Sequence, residues 1–407
     1  MNNMNFIEKC EKKLEDKFKS VDEIAYFNQV KILNAFSDLR VAQRHFNGTT
    51  GYGYDDDGRD CLGKLYAKIF GAEDGIVSPH IVSGTHALTV ALFGLLRPND
   101  TLLCVSGIPY DTIRGVIYGE NNGSLKDFGV NFECCDLIDG KFDIDSISKK
   151  IDDSVKVVYI QRSRGYELRD AFSCAEIKEV CSFIRKCGFT GCIFVDNCYG
   201  EFVEKTEPTQ CGADVIVGSL IKNAGGGLAS SGGYICGSRN YIDLIGKRLT
   251  APSIGLEVGS YAGGYQYFYQ GLFMAAHTVA QAVKGSLLIG QAMSALGYKN
   301  YPSLDKTPYD ITRAIQFDSA ENMINFIREV QYASPIDGFV TCEPWDMPGY
   351  EEKIIMAAGT FVSGASIELS ADGPVKPPYI AYFQGGLTYE HCKYALERIL
   401  NKIKSKV

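Results

Sequence analysis

A single lysine, Lys222, separates a short apolar run from a stretch of small residues in the segment GSLIKNAGGGLASSGG, residues 218–233. A primary amine can attack an aldehyde and hold it as an imine. Because the ordinary lysine pKa is about 10.4, we expect an apolar pocket and a cationic neighbour to lower it. An exposed loop lysine is the alternative. Gly225 to Gly227 are expected to let a substrate approach the backbone.

An aspartate ends an apolar run in the segment CIFVDNCYGEF, residues 192–202. Burial of a carboxylate costs free energy unless it is paired, so Asp196 is expected either to cap a helix or to hold a cation. A protonated pyridine nitrogen is such a cation, and the carboxylate keeps the ring able to withdraw electrons. Together with Lys222, Asp196 points to pyridoxal 5'-phosphate (PLP) as the cofactor.

Two segments offer groups for the phosphate of such a cofactor. VSGTHALTVALFGLL places Ser83, Gly84 and Thr85 at the start of an apolar helix. Free N–H groups and the helix dipole attract an anion there, although a simple N-cap is the alternative. Ser219, near the end of another apolar run, is placed to bind the same phosphate.

An aromatic residue, Tyr110, follows the apolar run TLLCV and a short loop. Its ring could stack on a planar cofactor, and a partly buried tyrosine is the alternative. The chain thus offers a phosphate loop, an aromatic, an acid at a strand end and a lysine 26 positions after that acid. This order agrees with ligand binding at the carboxyl ends of parallel strands.

The elements that must position these residues are short apolar runs that alternate with helix-length segments. The runs are TLLCV, VKVVYI, CIFVD and ADVIVGS, at residues 101–105, 155–160, 192–196 and 213–219. This alternation predicts a mostly parallel sheet covered by helices on both faces, and therefore a large α/β domain.

The sequence pattern divides the whole chain into four predicted parts. They are an N-terminal helical arm, the large domain, a long connecting helix and a small C-terminal α/β domain, at residues 1–50, 51–260, 261–299 and 300–407. The arm contains a charged amphipathic helix from about Glu8 to Ala35. The connecting helix runs from about Ala262 to Leu296, with Gly285 as a candidate break. The predicted C-terminal strands are TRAIQF, ASIELS and YIAYF.

The composition is that of an ordinary globular protein of 407 residues with a formal net charge of −8. The acidic balance argues against nucleic acid as a partner. No run of about 18 apolar residues suggests a membrane span, and the N-terminus lacks a signal-peptide pattern. We therefore expect a cytoplasmic protein.

The cysteines and aspartates do not suggest a metal site. Fourteen scattered cysteines without a CxxC pair predict reduced thiols, with Cys198 as the candidate for a reactive one. The acidic run Asp55 to Asp57 is predicted to be a solvated loop. No metal is expected.

The sequence resembles fold type I PLP-dependent enzymes, and within them the Cys/Met metabolism family. The resemblance is closest to the branch called aluminium resistance protein or methionine gamma-lyase family protein. It extends from about Ser83 to His391 and is carried by VSGTHAL, IQRSRGY, VDNCYGEF, GSLIKNAGGG, KRLTAPSIGLEVG and YIAYFQGGLTYEH. It implies the fold type I transferase fold.

The resemblance also implies roles for individual residues. Lys222 would form the imine with PLP, Asp196 would pair with the pyridine nitrogen, and Tyr110 would stack on the ring. The phosphate would be bound by Gly84, Thr85 and Ser219. The resemblance further implies a homodimer or homotetramer in which a second subunit completes each site.

The sequence departs from the better-known members at the Tyr-x-Arg pair that serves the neighbour's phosphate. Here the corresponding place reads Tyr52-Gly53-Tyr54, without the arginine. Arg59 is a substitute, or else a solvated loop residue.

A second departure concerns the arginine that would clasp the substrate carboxylate. The C-terminal segment offers Lys376, which is a point charge rather than a bidentate fork. Arg162 and Arg164, in IQRSRGY, are the other candidates, and a structural ion pair is the competing interpretation of both.

The implied activity is that of a lyase that breaks the C–S bond of a sulfur amino acid by β or γ elimination. Lys222 would move the Cα proton, with Tyr110 or a neighbour's Tyr52 as a second proton carrier. Cystathionine, cysteine, homocysteine and methionine are candidate substrates. Retro-aldol cleavage, transamination, sulfur transfer, or PLP binding without turnover remain alternatives, because one fold hosts many chemistries.

Overall fold

The computed structural model describes residues 3–347 and 352–403. Eleven α-helices lie in this part of the chain. They are α1 Asn3–Lys13, α2 Glu15–Asp38, α3 Asp57–Phe70, α4 Gly84–Leu95, α5 Asp111–Tyr118, α6 Ile144–Lys150, α7 Cys174–Lys186, α8 Arg239–Leu249, α9 Gln266–Ala295, α10 Ala320–Ala333 and α11 Tyr389–Lys402.

The same residues contain fourteen β-strands. They are β1 Asp74–Ser78, β2 Thr101–Cys104, β3 Asn131–Cys134, β4 Leu137–Ile138, β5 Lys141–Phe142, β6 Val155–Gln161, β7 Cys192–Asp196, β8 Val215–Ser219, β9 Gly233–Gly237, β10 Lys299–Tyr301, β11 Arg313–Gln316, β12 Ile354–Ala357, β13 Ser370–Pro374 and β14 Ile380–Gln384.

A seven-stranded sheet with the order β1-β9-β8-β7-β6-β2-β3 forms the centre of the fold. The pairs from β8 through β7, β6 and β2 to β3 are parallel, whereas β9 runs antiparallel to both β8 and β1. Strands β2, β7, β8 and β9 are buried at every residue. Such continuous burial explains why these strands read as unbroken apolar runs in the sequence. The prediction of a mostly parallel sheet in an α/β fold is confirmed.

A second sheet, of five antiparallel strands, follows the long helix α9. Its order is β10-β11-β14-β13-β12, and α10 and α11 pack together beside it. Two of the predicted strands, in TRAIQF and YIAYF, correspond to β11 and β14. This sheet matters for the site because β13 and β14 reach toward the carboxyl edge of the large sheet.

The predicted strand ASIELS is wrong. Residues 365–369 form turns, and β13 begins only at Ser370. The Glu368 carboxylate accepts the N–H groups of Phe361 and Val362, each at 2.9 Å. The backbone of this segment is therefore fixed as a loop rather than paired in a sheet.

Helix α9 runs without interruption through Gly285, so the candidate break is wrong as well. A Cβ atom at Gly285 would lie 2.3 Å from Cys392 Sγ, and close packing against α11 therefore requires glycine there. Helix α9 is long and apolar enough to cross a membrane by length and composition. Its most apolar window is 72% buried inside the protein, as in a core helix.

The N-terminal region contains two helices, α1 and α2, where the sequence predicted one, and α2 packs along α9. Further on, the expectation of a solvated loop fails for Asp56, which is fully buried. Its Oδ1 accepts the N–H of Arg59 at 2.9 Å, and its Oδ2 accepts the hydroxyl of Tyr265 at 2.8 Å. Asp56 therefore caps helix α3.

Candidate active site

Three neighbouring strands bring polar side chains to one edge of the large sheet. Gln161 ends β6 beside Asp196, which ends β7. Ser219 ends β8, the next strand in the sheet, and Lys222 follows it by three residues. Because these strands are parallel, residues far apart in the chain meet at their carboxyl ends.

A cavity opens at this edge, between the large sheet and the C-terminal sheet. It is lined by Tyr110, Gln161, Ser163, Gly165, Tyr166, Asp196, Cys198, Tyr199, Lys222, Thr312, Asp372, Tyr382 and Gln384. Three residues singled out from the sequence, Tyr110, Asp196 and Lys222, are thus brought together.

The Lys222 side chain points at an aromatic ring. Its Nζ lies 4.0 Å from the centroid of Tyr199. Burial by itself lowers the pKa of Lys222, but Cys198, Tyr199 and the Asp196 carboxylate raise it, and the net direction is upward. The expected lowering is therefore wrong for the chain alone, because the neighbours of the amine are acidic or aromatic rather than cationic.

The carboxylate of Asp196 is buried, and its two oxygens are only lightly engaged. Oδ1 accepts the N–H of Cys198 at 3.1 Å, and Oδ2 accepts the hydroxyl of Tyr159 at 3.3 Å. Burial raises the pKa of Asp196, and Lys222 partly opposes the rise. Asp196 therefore caps a turn, and its carboxylate also faces the cavity, where it can bind a cation.

The Ser219 hydroxyl supports a phosphate site. Its Oγ is buried and has no hydrogen-bond partner within the described residues, although buried hydroxyls normally have one. A Cβ atom on Gly84 would lie 3.3 Å from Ser219 Cβ and 3.6 Å from Cys198 Sγ. The start of α4 thus adjoins Ser219, and an oxyanion of the cofactor would satisfy both its hydroxyl and the free N–H groups.

The other two residues of this helix start already have local partners. Ser83 Oγ accepts the N–H of His86 at 3.0 Å, which is the N-cap bond that the sequence left as the alternative. Thr85 Oγ1 lies 3.0 Å from Thr112 Oγ1, which links α4 to α5.

The glycines after Lys222 serve packing rather than access. A Cβ atom on Gly226 would lie 2.1 Å from the Gly271 carbonyl oxygen of α9, and one on Gly227 would lie 2.4 Å from Leu387. Both have positive φ angles, 57° and 78°. These glycines therefore allow close packing against α9 and Leu387, and do not leave room for a substrate as expected.

Tyr110 precedes α5 and places its ring against Tyr166, with 5.9 Å between the centroids and an edge-on angle of 66°. Its backbone N–H donates to Gln161 Oε1 at 2.8 Å. Both contacts fix Tyr110 in the wall of the cavity.

Arg162 does not reach the cavity. It is fully buried and lies 2.6 Å from Glu204 Oε2 and 3.6 Å from Glu207 Oε2. Its Nη1 also donates to Asn197 Oδ1 at 2.8 Å. Arg162 therefore forms a structural ion pair, and the prediction that it binds the substrate is wrong.

Arg164 is buried in a different way. None of its three side-chain nitrogens has a hydrogen-bond partner in the described part of the chain, and Asp310 Oδ2 is 4.0 Å from Nε. Arg164 lines a second cavity, together with Lys376, that shares Tyr110 and Tyr166 with the first. Lys376 is exposed, and its Nζ is 3.5 Å from Glu352 Oε1.

Tyr52 lies on the surface, away from the cavity of its own chain. It is 67% exposed and stacks on Tyr54, with 5.4 Å between ring centroids. Arg59 is mostly buried, donates to the Gly53 carbonyl oxygen at 2.9 Å and pairs with Asp60 at 2.8 Å. Arg59 therefore lies in the first turn of α3, where these contacts fix it against the preceding loop.

Several wall residues were not found by sequence reasoning. Tyr199 lies three residues after Asp196, in the same segment. This short spacing is the sequence signal that could have identified Tyr199 as a residue of the site. Asp372, Tyr382 and Gln384 come from β13 and β14, where only the arrangement of two sheets reveals that they face Lys222. Cys198 also lines the cavity, but burial raises its pKa well above the ordinary value, which disfavours the reactive thiolate.

No group of three or more metal-ligating side chains occurs within residues 3–347 and 352–403. The large sheet, the C-terminal sheet and a lysine after β8 define the class of fold type I PLP-dependent enzymes. A PLP-dependent protein of Escherichia coli, YhfS, has this fold, with a TM-score of 0.62 at 17% identity over 94% of this chain and 97% of its own.

Within that class, this chain belongs to the methionine gamma-lyase family, whose sequence profile matches residues 3–404. The uncharacterized protein YnbB of Bacillus subtilis is 48% identical over 95% of this chain and 93% of its own.

Two solved structures are similar over nearly their whole length. One is a protein of Listeria monocytogenes, provisionally named a cystathionine beta-lyase involved in aluminum resistance. It has a TM-score of 0.97 and 46% identity over 98% of this chain and 100% of its own. The other is a carbon-sulfur lyase involved in aluminum resistance from Clostridium novyi. It has a TM-score of 0.94 and 45% identity over 98% of this chain and 95% of its own.

Proposed function

We propose that the protein is a PLP-dependent carbon-sulfur lyase that eliminates a thiol from a sulfur amino acid. The observation that carries the proposal is the meeting of Lys222 and Asp196 in one cavity, beside a Ser219 hydroxyl that has no hydrogen-bond partner among the described residues. PLP has three polar parts, which are its aldehyde, its ring nitrogen and its phosphate. The amine of Lys222, the carboxylate of Asp196 and the hydroxyl of Ser219 are groups that can bind these three parts in turn. The names of the two similar structures agree with C–S bond cleavage.

The residues of the chain would divide the work of holding the cofactor. Lys222 would bind the aldehyde carbon, Asp196 would keep the ring nitrogen protonated, and Tyr110 would pack against the ring. Ser219 and the N–H groups at Gly84 and Thr85 hold the phosphate. When bound, PLP supplies a ring that accepts the negative charge developed at the substrate Cα.

Proton transfer falls to side chains around Lys222. With PLP bound, Lys222 would be the base that takes the proton from the substrate Cα. The Tyr199 ring, 4.0 Å from Nζ, limits the directions in which that amine can move. Tyr110 is placed to carry a second proton, which γ elimination requires and β elimination does not.

The substrate carboxylate is assigned to Arg164. A buried guanidinium without hydrogen-bond partners is costly, and a carboxylate satisfies two of its donors at once. Lys376 stands at the exposed side of the same cavity, where it would attract anions without holding them rigidly.

We also propose a cellular compartment and an oligomeric state for the protein. Fourteen free cysteines suit a reducing compartment, and we place the protein in the cytoplasm. We also propose a homodimer or homotetramer in which the exposed Tyr52 of one subunit faces the phosphate site of another.

The test begins with the cofactor. Protein loaded with PLP is reduced with borohydride, and the modified peptide is identified by mass spectrometry, beside a Lys222→Ala variant. The label is expected on Lys222. Label on another residue, or none, contradicts the proposal.

Reaction class is tested with a panel of sulfur amino acids. Pyruvate or 2-oxobutyrate, released together with a thiol or sulfide, is the expected product. Acetaldehyde, a persulfide or an amino-acceptor product would instead assign a retro-aldol, sulfur-transfer or transamination reaction. A coloured protein that releases no product would be a PLP-binding protein without turnover.

A further inference from the structure

The catalytic cavity contains a tyrosine and an acid that the proposed chemistry does not yet use. Tyr166, in the turn after β6, and Asp372 of β13 both line the cavity that contains Lys222. The Tyr166 side chain is hydrogen-bonded to the carboxyl group of Asp372. The pair therefore bridges the large sheet and the C-terminal sheet beside the space for the substrate.

Aromatic contacts and a backbone hydrogen bond fix the position of Tyr166. Its ring centroid lies 4.8 Å from that of Tyr382 and 5.9 Å from that of Tyr110, with interplanar angles of 41° and 66°. The Tyr382 hydroxyl also donates to the Tyr166 carbonyl oxygen at 2.5 Å. Because both the ring and the backbone are held, the Tyr166 hydroxyl has a defined position beside Asp372, as proton transfer requires.

Tyr166 lies where two cavities meet. It lines the cavity of Lys222 and also the second cavity, which contains Arg164. A substrate with its carboxylate at Arg164 and its Cα at Lys222 would therefore extend past Tyr166, and its sulfur is one or two carbon atoms from Cα. Tyr110 lies at the same junction, but its ring is assigned to pack against the cofactor.

Asp372 can hold a proton at neutral pH. Its Oδ1 is buried without a hydrogen-bond partner in the described part of the chain, and its Oδ2 accepts a long hydrogen bond of 3.4 Å from Gln384 Nε2. Burial raises the pKa of Asp372 to about 7, and Tyr166 and Lys222 partly oppose the rise. When ionised, Asp372 accepts the Tyr166 hydroxyl. When protonated, it can donate to the Tyr166 oxygen and free that hydroxyl for another acceptor.

The charged groups that face Asp372 come from the large sheet. Lys222 and Asp196 are the amine and the other carboxylic acid among the residues that line the cavity. Within its own sheet, Asp372 lies opposite Met356 of β12 and Tyr382 of β14, and neither is charged at neutral pH. With Asp196 at the ring nitrogen and Lys222 at the aldehyde carbon of PLP, Asp372 is the acid of the cavity that remains for proton transfer.

Resting on the proposed function, we propose that Tyr166 protonates the sulfur as it leaves the substrate, and that Asp372 supplies the proton through Tyr166. As the C–S bond breaks, its electron pair leaves with the sulfur, and the pair left by the Cα proton forms the new carbon–carbon double bond of β elimination. The hydroxyl proton of Tyr166 passes to the sulfur, which leaves as a neutral thiol. The proton of Asp372 passes to the Tyr166 oxygen, and the ionised Asp372 regains a proton from solvent.

Two substrates with different leaving groups isolate this step. S-ethyl-L-cysteine loses ethanethiolate, a strong base that a proton stabilises, whereas β-chloro-L-alanine loses chloride, which needs no proton. Both depend equally on removal of the Cα proton by Lys222. In holoenzyme that carries Tyr166→Phe, kcat/KM is expected to fall about 100-fold for S-ethyl-L-cysteine and by a much smaller factor for β-chloro-L-alanine. S-ethyl-L-homocysteine and 2-amino-4-chlorobutanoate replace the pair if elimination occurs at the γ carbon.

Three further variants assign the proton. Asp372→Asn keeps a hydrogen-bonding partner for Tyr166 but holds no acidic proton, so it is expected to show the same selective loss for the thioether, about tenfold. Tyr110→Phe removes the other phenol at the junction and is expected to change the rates of both substrates by similar factors. Tyr394→Phe, at a half-exposed tyrosine of α11, is the control for loss of a hydroxyl and is expected to resemble the wild type.

The hydrogen-bonded pair can also be observed without turnover. The full chain without cofactor is labelled with carbon-13 at the aspartate carboxyl groups, and the resonance that is missing in Asp372→Asn is followed as the pH is raised. Its midpoint is expected near 7 in the wild type. In Tyr166→Phe the midpoint is expected to be higher, because the ionised carboxylate loses a donor.

An equal fall for both substrates in Tyr166→Phe, or an unchanged rate for the thioether, would overturn the inference. A selective loss in Tyr110→Phe instead would assign the leaving-group proton to Tyr110, and equal midpoints in Tyr166→Phe and the wild type would show that the pair is not coupled. Both results also overturn it, and in all four cases the lyase function stands. If label trapping fails at Lys222, or if the wild-type holoenzyme cleaves neither thioether, the proposed function itself fails.

Discussion

The Nζ atom of Lys222 and the ring of Tyr199 are 4.0 Å apart, and they belong to segments that follow adjacent strands. Tyr199 has a φ angle of 71°, which is strained for a tyrosine and costs on the order of 1–3 kcal/mol. Asn223 Nδ2 donates to the Tyr199 carbonyl oxygen at 2.9 Å, and the Tyr199 hydroxyl is 3.2 Å from Ser366 Oγ. These contacts hold the strained residue, and its ring fixes the amine.

We expect Tyr199→Leu to lower kcat about tenfold, because the amine of Lys222 loses the surface that limits its orientation. Tyr199→Phe keeps the ring and is expected to retain most of the activity. Steady-state kinetics, with cofactor content measured by absorbance, distinguish a positioning defect from simple loss of PLP. Equal losses in both variants would assign the effect to the hydroxyl and its contact with Ser366.

A matched pair of serine variants tests the phosphate site. Ser219→Ala is expected to weaken PLP binding about tenfold. It should leave the cofactor-free protein as stable or slightly more stable, because the buried hydroxyl that is removed has no hydrogen-bond partner in the described part of the chain. Ser83→Ala removes the N-cap bond to His86 and is expected to lower the free energy of unfolding by about 1 kcal/mol. The checks are equilibrium dialysis of PLP and urea unfolding of the cofactor-free proteins. A stability loss in Ser219→Ala without weaker PLP binding would contradict the assignment.

Variants of the two buried arginines are expected to differ, one lowering mainly the free energy of unfolding and the other weakening mainly the binding of substrate. Arg162→Met leaves Glu204 and Glu207 without their cation and is expected to cost about 3–5 kcal/mol of unfolding free energy. Arg164→Met removes a guanidinium that has no hydrogen bond among the described residues and lies 4.0 Å from Asp310, so it is expected to cost less stability than Arg162→Met while raising KM about tenfold or more. Urea unfolding and steady-state kinetics check both. A normal KM in Arg164→Met would leave the substrate carboxylate to another residue.

The sequence predicted β2, β6, β7 and β8 of the large sheet because these strands are almost entirely buried, so that runs such as CIFVD are mostly apolar. It also placed Lys222 and Asp196 at strand ends, where parallel topology brings them together. Local pattern sufficed for both results.

The failures share a different cause, which is that long-range contacts decided the outcome. Gly285 looked like a break, but it admits Cys392 of α11. Arg162 and Arg164 are two positions apart and equally basic, yet Arg162 pairs closely with two glutamates, whereas the one acid near Arg164 among the described residues is Asp310, at 4.0 Å. Asp372 lies on a strand of the C-terminal sheet, and no spacing within the sequence relates it to Lys222.

A buried glutamate behind Lys222 should make stability depend on pH. Glu201 is fully buried, Tyr234 donates to its Oε1 at 2.8 Å, and its Oε2 has no partner among the described residues. Burial raises the pKa of Glu201 from 4.5 to about 8. The folded state therefore retains a proton that the unfolded state has lost between these two pH values.

Because the folded state binds the extra proton, this glutamate makes the free energy of unfolding fall as pH rises from about 4.5 to about 8, and the loss persists above pH 8. One pKa unit corresponds to about 1.4 kcal/mol, so the effect is up to about 5 kcal/mol. Glu201→Gln keeps an acceptor for Tyr234 and is expected to unfold with a flatter pH profile, and to be more stable than the wild type at pH 9. Urea unfolding from pH 5 to pH 9 measures this, with the exposed Glu23→Gln as control. Parallel profiles for wild type and Glu201→Gln would mean that Glu201 is ionised in the folded protein at neutral pH, with a cation or water supplying what Oε2 lacks.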